Sequence, residues 1–154
     1  MNCLTIGPIK MKKAIVALTA ILMFNCGPDQ IECTLYTYTI RNESGKNITI
    51  KAYRINRPDI APVITNLAIG EKLTKNYRSC PPSGNYNFTD FYADRNTRII
   101  DSITVIYENS KFRGFREDCS DRNPLSFCDY STEVTFTFTA QDYENAQDCN
   151  GKCN

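Results

Sequence analysis

The stretch Thr132-Glu133-Val134-Thr135-Phe136-Thr137-Phe138-Thr139 alternates polar and apolar side chains almost without a break. Successive side chains of a β-strand point to opposite faces, so Val134, Phe136 and Phe138 would face a core while the threonines between them face solvent. Apolar residues of an amphipathic helix recur every three to four positions, which this stretch does not do. It therefore predicts a strand with one buried face.

Other segments rich in β-branched and aromatic residues extend this prediction. Thr34–Ile40 and Ile48–Tyr53 flank turn residues 42–47 and predict a hairpin, and Ser102–Tyr107 with Phe112–Phe115 predict a second one. Weaker predictions are strands at Val63–Leu67 and Tyr86–Tyr92, turns or loops at 57–62, 68–73 and 80–85, a long loop at 116–130, and one helical turn at 141–146.

About seven short strands separated by turn residues, without a sustained helical period, are typical of an all-β protein. We expect an antiparallel β-sandwich of immunoglobulin-like size. A small barrel is the alternative. The segment that would form it, residues 33–154, is long enough for one domain with its own core and ends in a cysteine-rich tail.

The N-terminal region has the layout of a secretory signal. Lys12 and Lys13 precede an uncharged apolar run, Ala14–Phe24, which is shorter than the roughly 20 residues needed to span a bilayer. We therefore predict that residues 1–25 are a signal peptide, with translation starting at Met11. The alternative is that the run is a buried element of the fold.

The end of this run, Leu22-Met23-Phe24-Asn25-Cys26, resembles the lipobox of bacterial lipoproteins. Leu22 matches the aliphatic position, whereas Phe24 and Asn25 depart from the usual small residues. The resemblance implies that Cys26 is lipidated and that residues 26–32 form a lipidated N-terminus and a short tether to a membrane. Gly27 stands where lipoproteins retained in the inner membrane carry aspartate, so the resemblance favours the outer membrane of a bacterial envelope.

The cysteines agree with a lipidated and oxidised chain. Cys3 lies in the leader, and Cys26 would carry the lipid. Six cysteines then remain, an even number that can pair completely as disulfides in an exported domain. These candidates are Cys33, Cys80, Cys119, Cys128, Cys149 and Cys153, for which 15 connectivities are possible. Their spacings give no C-x-x-C pair and the chain has no histidine, so we expect no metal site.

Charge and composition argue against two functional classes. The leader holds three of the 18 basic residues and no acid, which leaves 15 basic against 17 acidic side chains and no surplus for binding nucleic acid. Histidine, the usual general base near neutral pH, is absent. We therefore expect no enzyme activity, no catalytic residues and no cofactor.

One segment has the composition of a ligand site. Phe112, Arg113, Phe115 and Arg116 interleave aromatic and basic side chains around Gly114, which would allow close approach of a ligand. A core-facing strand end with solvated arginines is the favoured alternative. Carboxylates that could form an acid and base pair or a calcium site are Asp90, Asp94, Glu117, Asp118 and Asp121, although solvated loop charges explain them better.

The expected function is therefore that of a membrane-anchored envelope lipoprotein, a non-enzymatic binding or assembly module for a protein or glycan ligand. The first alternative is a secreted, soluble binding or inhibitor-like protein, released by an ordinary signal peptidase. The second is a hydrolase that relies on two converging carboxylates.

Overall fold

Eight strands build the part of the chain that the structure describes. They are β1 (Thr34–Glu43), β2 (Ile48–Arg54), β3 (Val63–Leu67), β4 (Lys72–Ser79), β5 (Ile100–Tyr107), β6 (Lys111–Arg116), β7 (Glu133–Thr139) and β8 (Gln147–Asp148). A 3-10 helix, Phe88–Tyr92, precedes β5, and a short α-helix, Ala140–Glu144, follows β7.

This computed structural model describes residues 32–93, 100–120, 122–126, 128, 131–151 and 153. The predicted signal peptide, the predicted lipidation site Cys26, most of the predicted tether and the carboxylates Asp94 and Asp121 lie outside the described residues. Cys33–Asn154 forms one compact unit. No helix in the described ranges is both long and apolar enough to cross a membrane.

Two sheets make up the fold. One has three strands in the order β4-β1-β7, and the other has five in the order β3-β2-β5-β6-β8. The prediction of an all-β, disulfide-stapled sandwich is confirmed. Antiparallel pairing prevails, and the parallel exception is β7, whose Phe136 lies beside Ile40 of β1.

The alternating stretch forms β7 as predicted. Phe136 and Phe138 are buried, and Val134 packs against the same core. The second predicted hairpin is also confirmed, because β5 and β6 pair antiparallel with Ile106 opposite Phe112. Apolar side chains from both sheets and from the 3-10 helix fill the space between the layers; the largest fully buried ones include Tyr38, Tyr92, Tyr107, Phe91 and Phe138.

The first predicted hairpin is wrong. β1 and β2 exist, but β1 pairs with β4 and β7 whereas β2 pairs with β3 and β5, so the turn at 44–47 carries the chain from one sheet to the other. The buried side chain of Asn42 directs this crossing. Its amide nitrogen donates to the carbonyl oxygens of Lys46 and Leu67 at 2.8 and 3.1 Å, and its amide oxygen accepts from Ser44.

The predicted strand at Tyr86–Tyr92 is also wrong, since Phe88–Tyr92 forms the 3-10 helix. Asn87 caps this helix by accepting from the Thr89 backbone, and the Asp90 carboxylate accepts from the Asn87 backbone at 2.9 Å. This reciprocal capping satisfies the first free N–H groups of a helix, so the polar residues at 87 and 90 decide the local structure over the aromatic ones.

All six candidate cysteines are paired. The bonds are Cys33–Cys80, Cys119–Cys128 and Cys149–Cys153. The first joins the start of β1 to the end of β4, the second closes the loop between β6 and β7, and the third closes a loop after β8. The long loop predicted at 116–130 is confirmed in its described residues.

Candidate functional site

The outward face of the five-stranded sheet is formed by rows of side chains from neighbouring strands. Cross-strand partners share a face of a sheet, so the register gives the outward rows directly. One row places Thr49 beside Ile106 and Phe112, and the next places Lys51 beside Thr104 and Gly114. Ala52, Val105 and Phe115, on intervening positions, face the core.

A depression of about 450 Å³ lies on this outward face. We call it the outer trough. The sheet lines it with Lys51, Tyr53, Thr104, Ile106 and Phe112, and residues 147–150 with Cys153 line it from the C-terminal side. Its volume lies within the roughly 300–1,000 Å³ that is usual for small-molecule pockets.

The wall of the outer trough is fixed by the last disulfide. Cys149 and Cys153 pack with Ile106 and the half-buried Phe112 in a small apolar cluster that is separate from the main core. The Cys149 backbone N–H also donates to the Ser110 carbonyl at 2.9 Å. The loop is therefore held to the sheet by a covalent closure, a backbone hydrogen bond and apolar packing.

Gly114 keeps one part of the outer face open. It lies in the same row as Lys51 and Thr104, and a Cβ atom built on it would meet no heavy atom within 4 Å. Its φ angle is not in the left-handed region, so the backbone accepts a larger residue at this position. The open space therefore depends on the small side chain and not on an unusual backbone.

The outer face carries two cations. Its three rows, from Thr49 to Tyr53 on β2 and from Phe112 to Arg116 on β6, contain Lys51 and Arg116, and the Asp101 carboxylate reaches the third row, where it accepts from the Ser102 hydroxyl at 3.0 Å. Within the described residues neither cationic group has a side-chain partner. Asp148, the acidic residue in the lining of the outer trough, lies opposite Lys111 in the β6–β8 register.

The four predicted binding residues do not share one face of the sheet, although Phe112 and Arg113 both line a depression of about 460 Å³ that also includes Gly114. Phe112 and Arg116 point outward, whereas Arg113 and Phe115 point toward the core, because consecutive strand residues alternate. The Arg113 guanidinium lies 4.9 Å from the Phe115 ring centroid and 3.5 Å from an Asp142 carboxylate oxygen. Phe112 lines the outer trough, and Arg116 lies on the same face one row beyond Gly114.

Asp142 is the centre of an ion network that the sequence analysis missed. It is buried in the short helix, pairs with Arg113 and Arg122, and accepts from both the backbone N–H and the hydroxyl of Thr139. Arg122 also stacks on Phe136. Because both carboxylate oxygens are engaged, this group holds the helix against the sandwich.

The described candidate carboxylates are likewise engaged locally. Asp90 caps the 3-10 helix, and its burial raises the pKa of its carboxyl. Asp118 accepts from the side chains of Asn123 and Ser120, and these hydrogen bonds lower the pKa of its carboxyl. Glu117 is exposed. Among the described residues no group of three or more acidic, cysteine or histidine side chains could hold a metal ion.

A second depression, of about 410 Å³, lies between β7 and the Cys119–Cys128 loop. Val134, Phe136, Ser120 and Asn123 are among its lining residues, and none of the described lining residues is charged. It therefore lacks the combination of an exposed ring and a free cation that the outer trough has.

No protein family, characterised protein or solved structure matches this chain. The fold and the outer trough define the class: a β-sandwich held by three disulfides, with a ligand-sized depression on the outward face of its larger sheet.

Proposed function

We propose that this protein is a lipid-anchored lipoprotein of the bacterial envelope, with the outer membrane favoured, and that its sandwich domain is a non-enzymatic binding module. The observation that carries the binding role is the outer trough, in which an exposed ring, a free cation and neutral polar groups share one concave surface. A few polar groups on a largely preformed apolar surface are the usual composition of a ligand site.

Disulfide pairing supports the anchor. The six cysteines from Cys33 onward bond to one another, so none of them needs Cys26 as a partner. A cysteine that follows an apolar leader, and that none of these six requires as a partner, is available for a thioether-linked lipid. Two or more acyl chains hold a protein stably on a bilayer.

The anchor is tested by metabolic labelling with an alkyne fatty acid in a bacterial host. The native protein is expected to incorporate the label and to sediment with membranes, because the acyl chains would be attached at Cys26. Cys26→Ala should lose at least about nine tenths of the label, whereas Asn25→Ala, which puts a small residue directly before the cysteine, should keep it.

Equal labelling of Cys26→Ala and the native protein would contradict the anchor. The intact mass of the purified mature protein gives an independent check, since a diacylglycerol adduct excludes simple release. A mature chain without an adduct, found only in the soluble fraction, would support the secreted alternative.

The binding role is tested by placing a ring next to the outer trough. Gly114→Phe should abolish binding to those members of an array of oligosaccharides and peptides that the native protein binds, because the new ring would lie between Thr104 and Phe112, its neighbours on the same face, and both of these line the outer trough. The melting temperature should stay within about 3 °C of native, as expected for a surface change of about 0.5 kcal/mol.

Gly84→Phe is the matched control. Gly84 has the same open surroundings and no positive φ, but it lies in the loop after β4, away from the outer trough. This variant should bind as the native protein does. The assignment of the site is wrong if Gly114→Phe and Gly84→Phe bind every retained ligand equally well.

A further inference from the structure

The floor of the outer trough is made from β2, β5 and β6, and most of its lining residues lie where these strands are paired on both sides. β3 pairs with β2 as far as Ala52, and β8 pairs with β6 at Lys111 and Phe112, so Lys51, Thr104, Ile106 and Phe112 lie in the paired part of the sheet. Extended peptides commonly bind by adding a strand to an exposed sheet edge, where main-chain groups are unpaired. A ligand over these four residues therefore meets side-chain polar groups and ring faces.

The side chains available are suited to hydroxyl groups. Thr104 and Gln147 offer both donors and acceptors, and so does Asn150 in the disulfide loop. Asn150 and Gly151 both have positive φ angles, 46° and 78°, so a tight turn places this amide at the rim of the outer trough. Neutral groups that can both donate and accept match a ligand that carries several hydroxyls.

Two aromatic rings supply the apolar part. Tyr53 is 37% exposed, and Phe112 is half buried against the Cys149–Cys153 disulfide, which restricts its ring. A ring whose face is partly open and whose polar tip is wet can contact the C–H face of a sugar while water remains at its edge. Hydroxyl-binding groups and ring faces together favour a saccharide over a purely apolar ligand.

Charge selects the kind of saccharide. Lys51 lines the outer trough, and Arg116 lies two strands across and one row along on the same face, at a backbone spacing of roughly 12 Å. Neither forms an ion pair with a carboxylate among the described residues; Asp101 accepts from the Ser102 hydroxyl instead, and Asp148 lies in the lining on the C-terminal side. A ligand that brings carboxylates to this face would pair with both cations.

We propose that the outer trough binds a carboxylated saccharide, a glycan containing uronic acid or a similar acidic sugar. This inference rests on the proposed binding function and names its ligand class. The carboxylate pairs with the Lys51 ammonium, hydroxyls bind Thr104, Gln147 and Asn150, and a sugar face lies against Tyr53. Arg116 receives the carboxylate of a neighbouring sugar unit.

The test measures affinity for three soluble probes by isothermal titration calorimetry, using the full mature chain. The probes are trigalacturonate, the neutral α-1,4-linked galactotriose and triglutamate. Galactotriose has the same ring stereochemistry without carboxylates, and triglutamate offers side-chain carboxylates without sugar rings. We expect trigalacturonate to bind at least about tenfold more tightly than either, since a charge-assisted hydrogen bond contributes about this much.

Lys51→Gln should weaken trigalacturonate binding about tenfold and leave galactotriose binding unchanged. Lys72→Gln is the control, because Lys72 is an exposed lysine on β4 of the other sheet. This control should not change either affinity. Raising the salt concentration should weaken binding of trigalacturonate to the native protein more than to Lys51→Gln, because screening acts on the ion pair.

The outcomes of these titrations distinguish failure of the saccharide inference from failure of the proposed binding function. If galactotriose binds as well as trigalacturonate and Gly114→Phe abolishes both, the site stands and the carboxylate requirement is wrong. If triglutamate binds as tightly as trigalacturonate, the outer trough is a site for acidic peptides and the saccharide inference is overturned. If Lys51→Gln and Lys72→Gln bind trigalacturonate equally, Lys51 is not the carboxylate partner and the inference fails.

Discussion

Asn42→Ala is expected to lower the free energy of unfolding by about 3–5 kcal/mol, since each buried polar group left without a partner costs about 1–3 kcal/mol. Asn42 is fully buried. Its amide nitrogen donates to the carbonyl oxygens of Lys46, Leu67 and Ala68, and its oxygen accepts from the Ser44 backbone and hydroxyl. Alanine would leave several of these groups buried and unpaired.

Urea unfolding followed by circular dichroism measures this effect. Asn76→Ala is the matched control, because Asn76 is exposed on β4, where its side chain accepts from the Thr37 hydroxyl at 3.1 Å. This control should change stability by less than about 0.5 kcal/mol. Equal stabilities for the two variants would mean that the Asn42 hydrogen bonds do not hold the crossing between the sheets.

Phe138→Ala should cost about 3–5 kcal/mol, the usual range when a buried phenylalanine is removed from a core. The Phe138 side chain is fully buried in β7, and its ring centroid lies 4.9 Å from that of Phe136. The loss combines the apolar area returned to water with the cavity left behind. For a domain of this size, the expected fall in Tm is roughly 10–20 °C.

Differential scanning calorimetry of Phe138→Ala, with Thr135→Ala as control, checks this expectation. Thr135 is on the same strand with its side chain exposed, so its variant should melt within about 3 °C of the native protein. A Phe138→Ala variant that melts as high as the control would show that β7 does not carry the core as the structure describes.

The local pattern of polar and apolar residues was sufficient to predict much of the fold. The alternation in β7 and the apolar positions of β2 and β5 identify strands and their buried faces, because side-chain period and burial are linked within one element. The β5–β6 hairpin was predictable for a related reason: residues 108–110 form a tight reversal between strands that pair directly.

Pairing between distant segments was not predictable in this way. The polar segment after β1 has the composition of a hairpin turn, yet Asn42 bonds to carbonyl groups 25 and 26 positions away and directs the chain to the other sheet. Asp142 is a similar case, since its arginine partners lie 20 and 29 positions before it. Local composition predicts that a turn or an acidic residue is present, but it does not predict which distant residue will contact it.

Only part of the candidate site was predictable, because the rest depends on pairing between distant segments. Phe112 and Arg116 were identified from their own segment, but the alternation of β6 separates them from Arg113 and Phe115. Lys51, Tyr53 and Thr104 join Phe112 only through the β2–β5–β6 register, and the disulfide loop completes the wall through the β6–β8 pairing. The site therefore depends on a register that the sequence does not state.

The first disulfide has a mechanical consequence. Cys33 directly precedes β1, and its bond to Cys80 leads to the end of β4. A pull applied through residues 26–32 would be divided at Cys33, where part of the load passes along covalent bonds into β4 before β1 could be peeled from its neighbours. Because β1 is also the central strand of its sheet, a domain held at its front end would resist being unravelled by drag.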